Sequence, residues 1–315
     1  MSKYFNTAII GNSKILCTLN DKAEILRLYF PNIDYFQLID SYSLGIYDEK
    51  INWFNAGKLV KQYYEGNIIY TELLINNISV VMRDYILPDR NILVRALKFA
   101  KPINLILYSS LNSGVDRQVS SMVVDDTLIQ YSQDMYMASF ANKDIYKYQI
   151  NNIKGNLETY DFDMNDYIGM SEKAVVGYKD ISEITLYITL NSTLKESLEA
   201  IKYCRENHEN LFYDKTKKYW DEYLKKYEKN NLLKNNTKMK EKEIIYRTYL
   251  MYALLSNPET GAVLATPDVD EKYTRCGRYG YCWPRDALFI NEALKILGMD
   301  NLLNKFYNEW AKKSI

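Results

Sequence analysis

The sequence predicts a large antiparallel β-sandwich followed by helices, and three observations lead there. Up to about residue 192, apolar residues come in short bursts rich in Ile, Val, Leu and Tyr, separated by Asn, Asp, Gly and Ser. Many short runs between turn signals, with no helical period, are the pattern of an all-β layered unit. Beyond that point the apolar period becomes helical. Tyrosine is abundant, at 30 of 315 residues, which suits half-buried strands, wet interfaces and sugar-stacking clefts alike. At about 150 residues per domain, the length fits roughly two domains.

The strand runs are Ile15 to Leu19, Ile68 to Ile75, Ile78 to Val81, Ile92 to Phe99, Ile103 to Tyr108 and Ile184 to Leu190. In the last of these, Ile184, Leu186, Ile188 and Leu190 alternate onto one face. Asn76-Asn77 and Asn151-Asn152 take the left-handed turn positions that scarce glycine leaves vacant. Thr193 and Glu196 then form a capping box, and Leu194, Leu198 and Ile201 share a helix face. A second amphipathic run carries Leu211, Tyr219, Trp220, Tyr223, Leu224 and Tyr227. Lys229 to Lys242 is polar and reads as a linker. Ile244, Thr248, Met251 and Leu255 begin another helix, which stops at Asn257-Pro258. Trp283-Pro284 opens the next, with Asp286 near the positive end of its dipole, an apolar face of Ala287, Ile290, Leu294 and Leu297, and Gly298 as its stop. A last helix runs from Asp300 through Leu303, Phe306 and Trp310.

Composition removes several function classes. Lys+Arg and Asp+Glu are both 40, so net charge is zero and a nucleic-acid or anionic-membrane partner is not expected. No run approaches about 18 apolar residues and no signal peptide opens the chain, so the reading is a soluble, cytoplasmic protein with reduced thiols. Cys17, Cys204, Cys276 and Cys282 are scattered, and neither a metal nor another cofactor is expected. His208, the single histidine, reads as a surface residue near a helix end. The acidic run Asp268, Asp270 and Glu271 lacks calcium-loop spacing and reads as a solvated turn.

The chemical signal lies before the Trp283-Pro284 helix. The connection from Pro258 to Trp283 is far longer than the roughly two to eight residues usual between neighbouring helices. It ends in Tyr279-Gly280-Tyr281-Cys282-Trp283-Pro284-Arg285-Asp286-Ala287. Aromatic rings cover the C–H face of a pyranose, a carboxylate accepts from vicinal hydroxyls, and a guanidinium donates to their oxygens. By residue type alone, the same cluster also reads as a capping ion pair beside a core tryptophan.

The segment Glu259-Thr260-Gly261-Ala262-Val263-Leu264-Ala265-Thr266-Pro267, with Tyr281 to Ala287, resembles the start of the catalytic domain of glycoside hydrolase family 15, the glucoamylase and glucodextranase-like enzymes. Gly11-Asn12 with Leu28-Tyr29-Phe30-Pro31, Arg83-Asp84-Tyr85 through Leu93-Val94-Arg95-Ala96-Leu97, and Tyr219 to Leu224 resemble successive parts of the same family in order. The resemblance implies a β-supersandwich over residues 1–192, linker helices and a polar linker over 193–242, and the first helices of a truncated (α/α)6 barrel over 243–315. It implies an inverting exo-α-glucosidase acting on α-glucans or maltooligosaccharides. Arg285 and Asp286 would grip the terminal glucosyl unit, with Trp283 and Tyr279 lining the pocket, Tyr281 packing beside them and Cys282 as apolar filler.

The family's acid and base glutamates would lie beyond Ile315, while Glu259, Glu271, Glu292 and Glu309 read as solvated or turn carboxylates. The expectation is an inactive chain carrying part of a glucose pocket, with apolar faces around Met251, Leu294 and Trp310 awaiting a missing C-terminal barrel segment. Part of a related disaccharide phosphorylase, and a non-catalytic carbohydrate-binding or scaffold module, are the alternatives.

Overall fold

A computed structural model of the chain describes residues 6–33, 37–112, 118–150, 168–233, 238–267 and 281–314. Among the described residues, fifteen strands between Ala8 and Asn191 join in one antiparallel sheet. Its spine is two long strands, Ile92–Leu111 and Lys173–Asn191, antiparallel to each other along most of their length. The Ile92–Phe99 and Ile103–Tyr108 bursts, which read as separate strands, are therefore two halves of one.

The reason for the interruption lies in Ala100-Lys101-Pro102. The ladder shifts register here, between Ile103↔Ile181 and Lys98↔Glu183, so Pro102 costs no regular ladder hydrogen bond. On its other side, Ile92–Leu111 changes partners across the same point. Leu93 to Phe99 pair with the strand Ile78–Ile86, and Asn104 to Leu111 pair with Ile39–Asp48. A strand that serves two halves through a bulge turns a corner in the sheet. Leu93 and Leu97 from one half and Leu105 and Leu107 from the other are buried in a single core cluster.

Ile184, Leu186, Ile188 and Leu190 lie in that core, as their alternation predicts. The opposite face is not left to solvent, because Tyr187 packs with Phe140, Ile201, Cys204 and Phe212 in a second cluster under the first helices. Asn76 and Asn77 have φ of 46° and 62°, the left-handed conformation expected of that turn. Asn151-Asn152 lies outside the described residues.

The helices are α1 (Leu194–Glu206), α2 (Glu209–Lys225), α3 (Met239–Leu255), α4 (Pro284–Ile296) and α5 (Asp300–Lys305), the last continuing as a wider π turn over Phe306–Ala311. The Thr193–Glu196 capping box starts α1 as expected. The buried face of α1 is Ser197, Ile201 and Cys204, whereas Leu194 and Leu198 are exposed. In α2, Phe212, Thr216 and Trp220 are buried, Phe212 against the sheet and Trp220 with Leu16, Tyr29 and the α3 residues Leu250 and Leu254, leaving Leu211 outside. Helix α3 begins inside the stretch read as linker, where the Glu241 carboxylate accepts from the Lys238 N–H at 3.0 Å. It buries Tyr249, Leu250, Leu254 and Leu255, not Ile244. None of the helices among the described residues is long and apolar enough to cross a membrane.

Helix α4 follows its sequence closely. Pro284 opens it, Ala287, Leu294 and Leu297 are buried with Ile290 half-buried, and Gly298 closes it at φ 69°. The expected exposed faces need correction. Leu294 is fully buried with Tyr249, Leu297 and Met299, Met251 is half-buried, and the Trp310 ring stacks on Phe306 at 5.0 Å. The exposed apolar side chains of α4 are Leu288, Phe289 and Ile296, on the other side of the helix.

Candidate functional site

The Asn257–Ala262 turn is the scaffold of the site. Asn257 Oδ1 accepts the N–H groups of Glu259 and Thr260 at 2.9 and 3.1 Å, and its backbone N–H donates to Ala262 O at 2.7 Å. Gly261 then takes φ 72°, a conformation that disfavours a side chain. Sterics impose glycine independently, since a Cβ there would lie 2.3 Å from the Phe306 nitrogen. Lys305 Nζ donates to Pro258 O, which fastens the end of α5 to this turn. The chain returns along α3 through the Ser256↔Val263 bridge.

The residues before α4 are held to the same scaffold by the Ala265 N–H, which donates to Tyr281 O at 3.1 Å. Tyr29 Oη, from the N-terminal strands, donates to Pro267 O at 3.3 Å. Between these elements lies a cavity of about 270 Å³ lined by Ile33, Asn257, Leu264, Tyr281, Cys282 and Trp310. Tyr281 and Cys282 thus border a cavity, and Tyr281 is exposed where close packing was expected. Ile33 and Trp310 were not anticipated as wall residues; Gly261 was the only local signal that the Trp310 helix comes so close.

Trp283 occupies the N-cap position of α4, 48% exposed, and its carbonyl accepts the Ala287 N–H at 2.8 Å. Arg285 and Asp286 form an ion pair at 3.7 Å, with side chains 83% and 35% exposed. None of the three lines the 270 Å³ cavity. Their guanidinium, carboxylate and indole stand at one helix end, where the dipole favours the Asp286 carboxylate. Tyr279 lies outside the described residues, as do Cys276 and the acidic run Asp268, Asp270 and Glu271.

Other candidate groups sit elsewhere. Glu259 and Glu292 are exposed. Glu309 is hydrogen-bonded to Lys313 at 2.9 Å, and that ammonium holds its carboxyl below the usual range. His208 is exposed at the N-cap of α2. Cys17 and Cys204 are buried, and burial pushes the Cys204 thiol up to about 12. Among the described residues there is no group of three or more His, Cys, Asp or Glu side chains that could hold a metal ion.

No protein-family model matches the sequence. An uncharacterized glycosyl hydrolase of Methanocaldococcus jannaschii is 23% identical over 337 aligned positions, covering 96% of this chain and 52% of that protein. A bacterial glucoamylase solved in complex with acarbose superposes with a TM-score of 0.80 over 99% of this chain and 50% of that one, at 14% identity. A human-microbiome protein described as a kojibiose phosphorylase superposes with a TM-score of 0.56 over 83% of this chain and 41% of that one, at 11% identity. The fold is glycoside-hydrolase-like: a large antiparallel sheet domain followed by helices. The chain spans about half the length of the relatives it matches.

Proposed function

We propose that this chain is the sheet domain and opening barrel helices of a glucoamylase-type inverting exo-α-glucosidase. In this reading residues 1–192 are the sandwich, 193–242 the linker and 243–315 the first helices of an (α/α)6 barrel. Trp283, Arg285 and Asp286, with Tyr279, receive the terminal glucosyl unit of an α-glucan. The observation that carries the reading is the 0.80 superposition over 99% of the chain on the bacterial glucoamylase, joined to the Trp-x-Arg-Asp order at the start of α4.

The chemistry of these side chains supports the assignment. A half-exposed indole offers a face to the C–H side of a sugar ring. An ion pair as long as 3.7 Å leaves most Arg285 donors free for hydroxyl oxygens, while Asp286 accepts from hydroxyls. Inversion needs a general acid and a general base about 6.5–9.5 Å apart. Glu259, Glu292 and Glu309 take neither role in this reading.

Calorimetric titration with maltose, paired with a glucose-release assay on maltooligosaccharides, tests it. The 315-residue chain is expected to bind maltose, to lose about tenfold or more in affinity in Arg285→Ala and Asp286→Ala, and to release no glucose. Unchanged binding in both variants, or clear turnover by the chain alone, overturns the assignment. The phosphorylase superposition favours a second reading, in which phosphate replaces water and one catalytic carboxylate suffices. Phosphate-dependent release of a sugar phosphate by the complete enzyme would select it.

A further inference from the structure

A second polar recess lies on the outer face of the sheet, in front of the N-terminal end of α2. It has a volume of about 420 Å³ and crosses four strands to reach Asn142, just past the end of a fifth, and its lining includes Val81, Arg83, Ala96, Lys98 and Glu183. The ladder register explains its shape. Tyr70, Arg83, Ala96 and Thr185 are successive cross-strand partners in one row, and Val81, Lys98 and Glu183 form the next. Four inter-strand spacings of about 4.8 Å give it a length of about 19 Å. Ala96, the smallest side chain in its row, makes the trough, and Val81, 42% exposed, adds an apolar floor.

One wall is fixed in advance. Arg83 is paired with Glu209 at 2.5 Å and lies over the Tyr213 ring at 4.2 Å, and Tyr85 Oη donates to the same Glu209 carboxylate at 2.6 Å. Tyr70 Oη is likewise engaged, with Tyr213 at 3.0 Å and Glu65 at 3.2 Å, but other polar groups keep free capacity. Lys98 and Glu183 face each other across the ladder, both exposed, and among the described residues neither makes an ion pair or side-chain hydrogen bond. Asn142 Oδ1 accepts the Thr185 N–H at 2.9 Å, which leaves its amide donors open to solvent.

The formal charges cancel within the groove, two cations against two carboxylates, so an ionic ligand gains no net attraction. Its many polar groups oppose a purely apolar ligand, which would leave them unsatisfied. A long, neutral trough with a rigid wall, free donors, a free acceptor and an apolar floor matches a polyhydroxylated chain. We infer that this groove binds a neutral oligosaccharide, apart from Trp283, Arg285 and Asp286, none of which lines it.

The test isolates the groove by using the R285A/D286A double variant of the 315-residue chain. Maltotriose, cellotriose and xylotriose are titrated into it, with binding read by calorimetry and by ligand-observed NMR. Saturable binding of at least one trisaccharide is expected, weakened about tenfold or more when K98A/E183A is added. Both added positions are exposed, and circular dichroism checks the fold. Absence of saturable binding of all three sugars up to about 10 mM overturns the inference. So does binding that K98A/E183A leaves unchanged. Failure of the α4 assignment is read separately, from the wild-type chain against R285A/D286A.

Discussion

Two Arg–Asp pairs in this molecule show how one chemistry takes two meanings. Arg95 and Asp84 sit in the sheet interior, 1% and 0% exposed, with Nε donating to Oδ1 at 2.7 Å. Arg95 also donates to Ala23 O, while Asp84 Oδ2 has no partner among the described residues. Arg285 and Asp286 are adjacent in sequence and 3.7 Å apart, with Arg285 largely in water and Asp286 partly exposed. The first pair has its geometry set by the core around it. The second is loosely held and keeps its hydrogen-bonding capacity for something else. The difference teaches that burial, rather than residue type, separates a structural ion pair from a candidate binding clamp.

Breaking the buried pair gives the largest expected effect. Asp84→Ala leaves the Arg95 guanidinium buried without its counter-charge and is expected to cost about 3–5 kcal/mol in urea unfolding. A loss below about 1 kcal/mol would mean that water reaches Arg95. Gly261→Ala probes the helical half at its tightest contact. Positive φ and the clash with Phe306 together are expected to cost about 2 kcal/mol or more, seen as a lower thermal midpoint. Thr193→Ala, at the junction between sheet and helices, removes the side-chain acceptor for the Glu196 N–H and is expected to cost about 1 kcal/mol. Arg285→Ala should change stability least, within about 0.5 kcal/mol, while reducing maltose affinity. A large stability loss in that variant would collapse the contrast and make the exposed pair structural too.

Much of the helical half was legible because its signals are local. Pro284, Asp286 and Gly298 mark both ends of α4, and the spacing of Ala287, Ile290, Leu294 and Leu297 picks its buried side. Helices α1 and α2 misled because apolar residues occur on more than one side. The sheet's outer surface accepts Phe212, Ser197 and Cys204, so Leu211, Leu194 and Leu198 are left in water. That choice depends on the shape of a surface built from residues far away in sequence. Continuity of Ile92–Leu111 was hidden for a related reason: Pro102 looks like a break until the register shift beside it is known. The Trp283-Pro284-Arg285-Asp286 order at the start of α4 is visible in the sequence, whereas the exposure of these side chains and the cavity between Ile33 and Trp310 depend on tertiary packing.

The pairing of the two long strands sets a timetable for synthesis. Ile92 meets Thr189, a partner 97 positions later, so the central ladder cannot close until nearly two hundred residues have left the ribosome. Until then one edge of Ile92–Leu111 has open backbone groups beside an apolar face, the kind of surface that pairs with the wrong chain. A nascent chain stalled short of Lys173 should therefore need a chaperone. One extended through Asn191 can satisfy that edge from its own sequence.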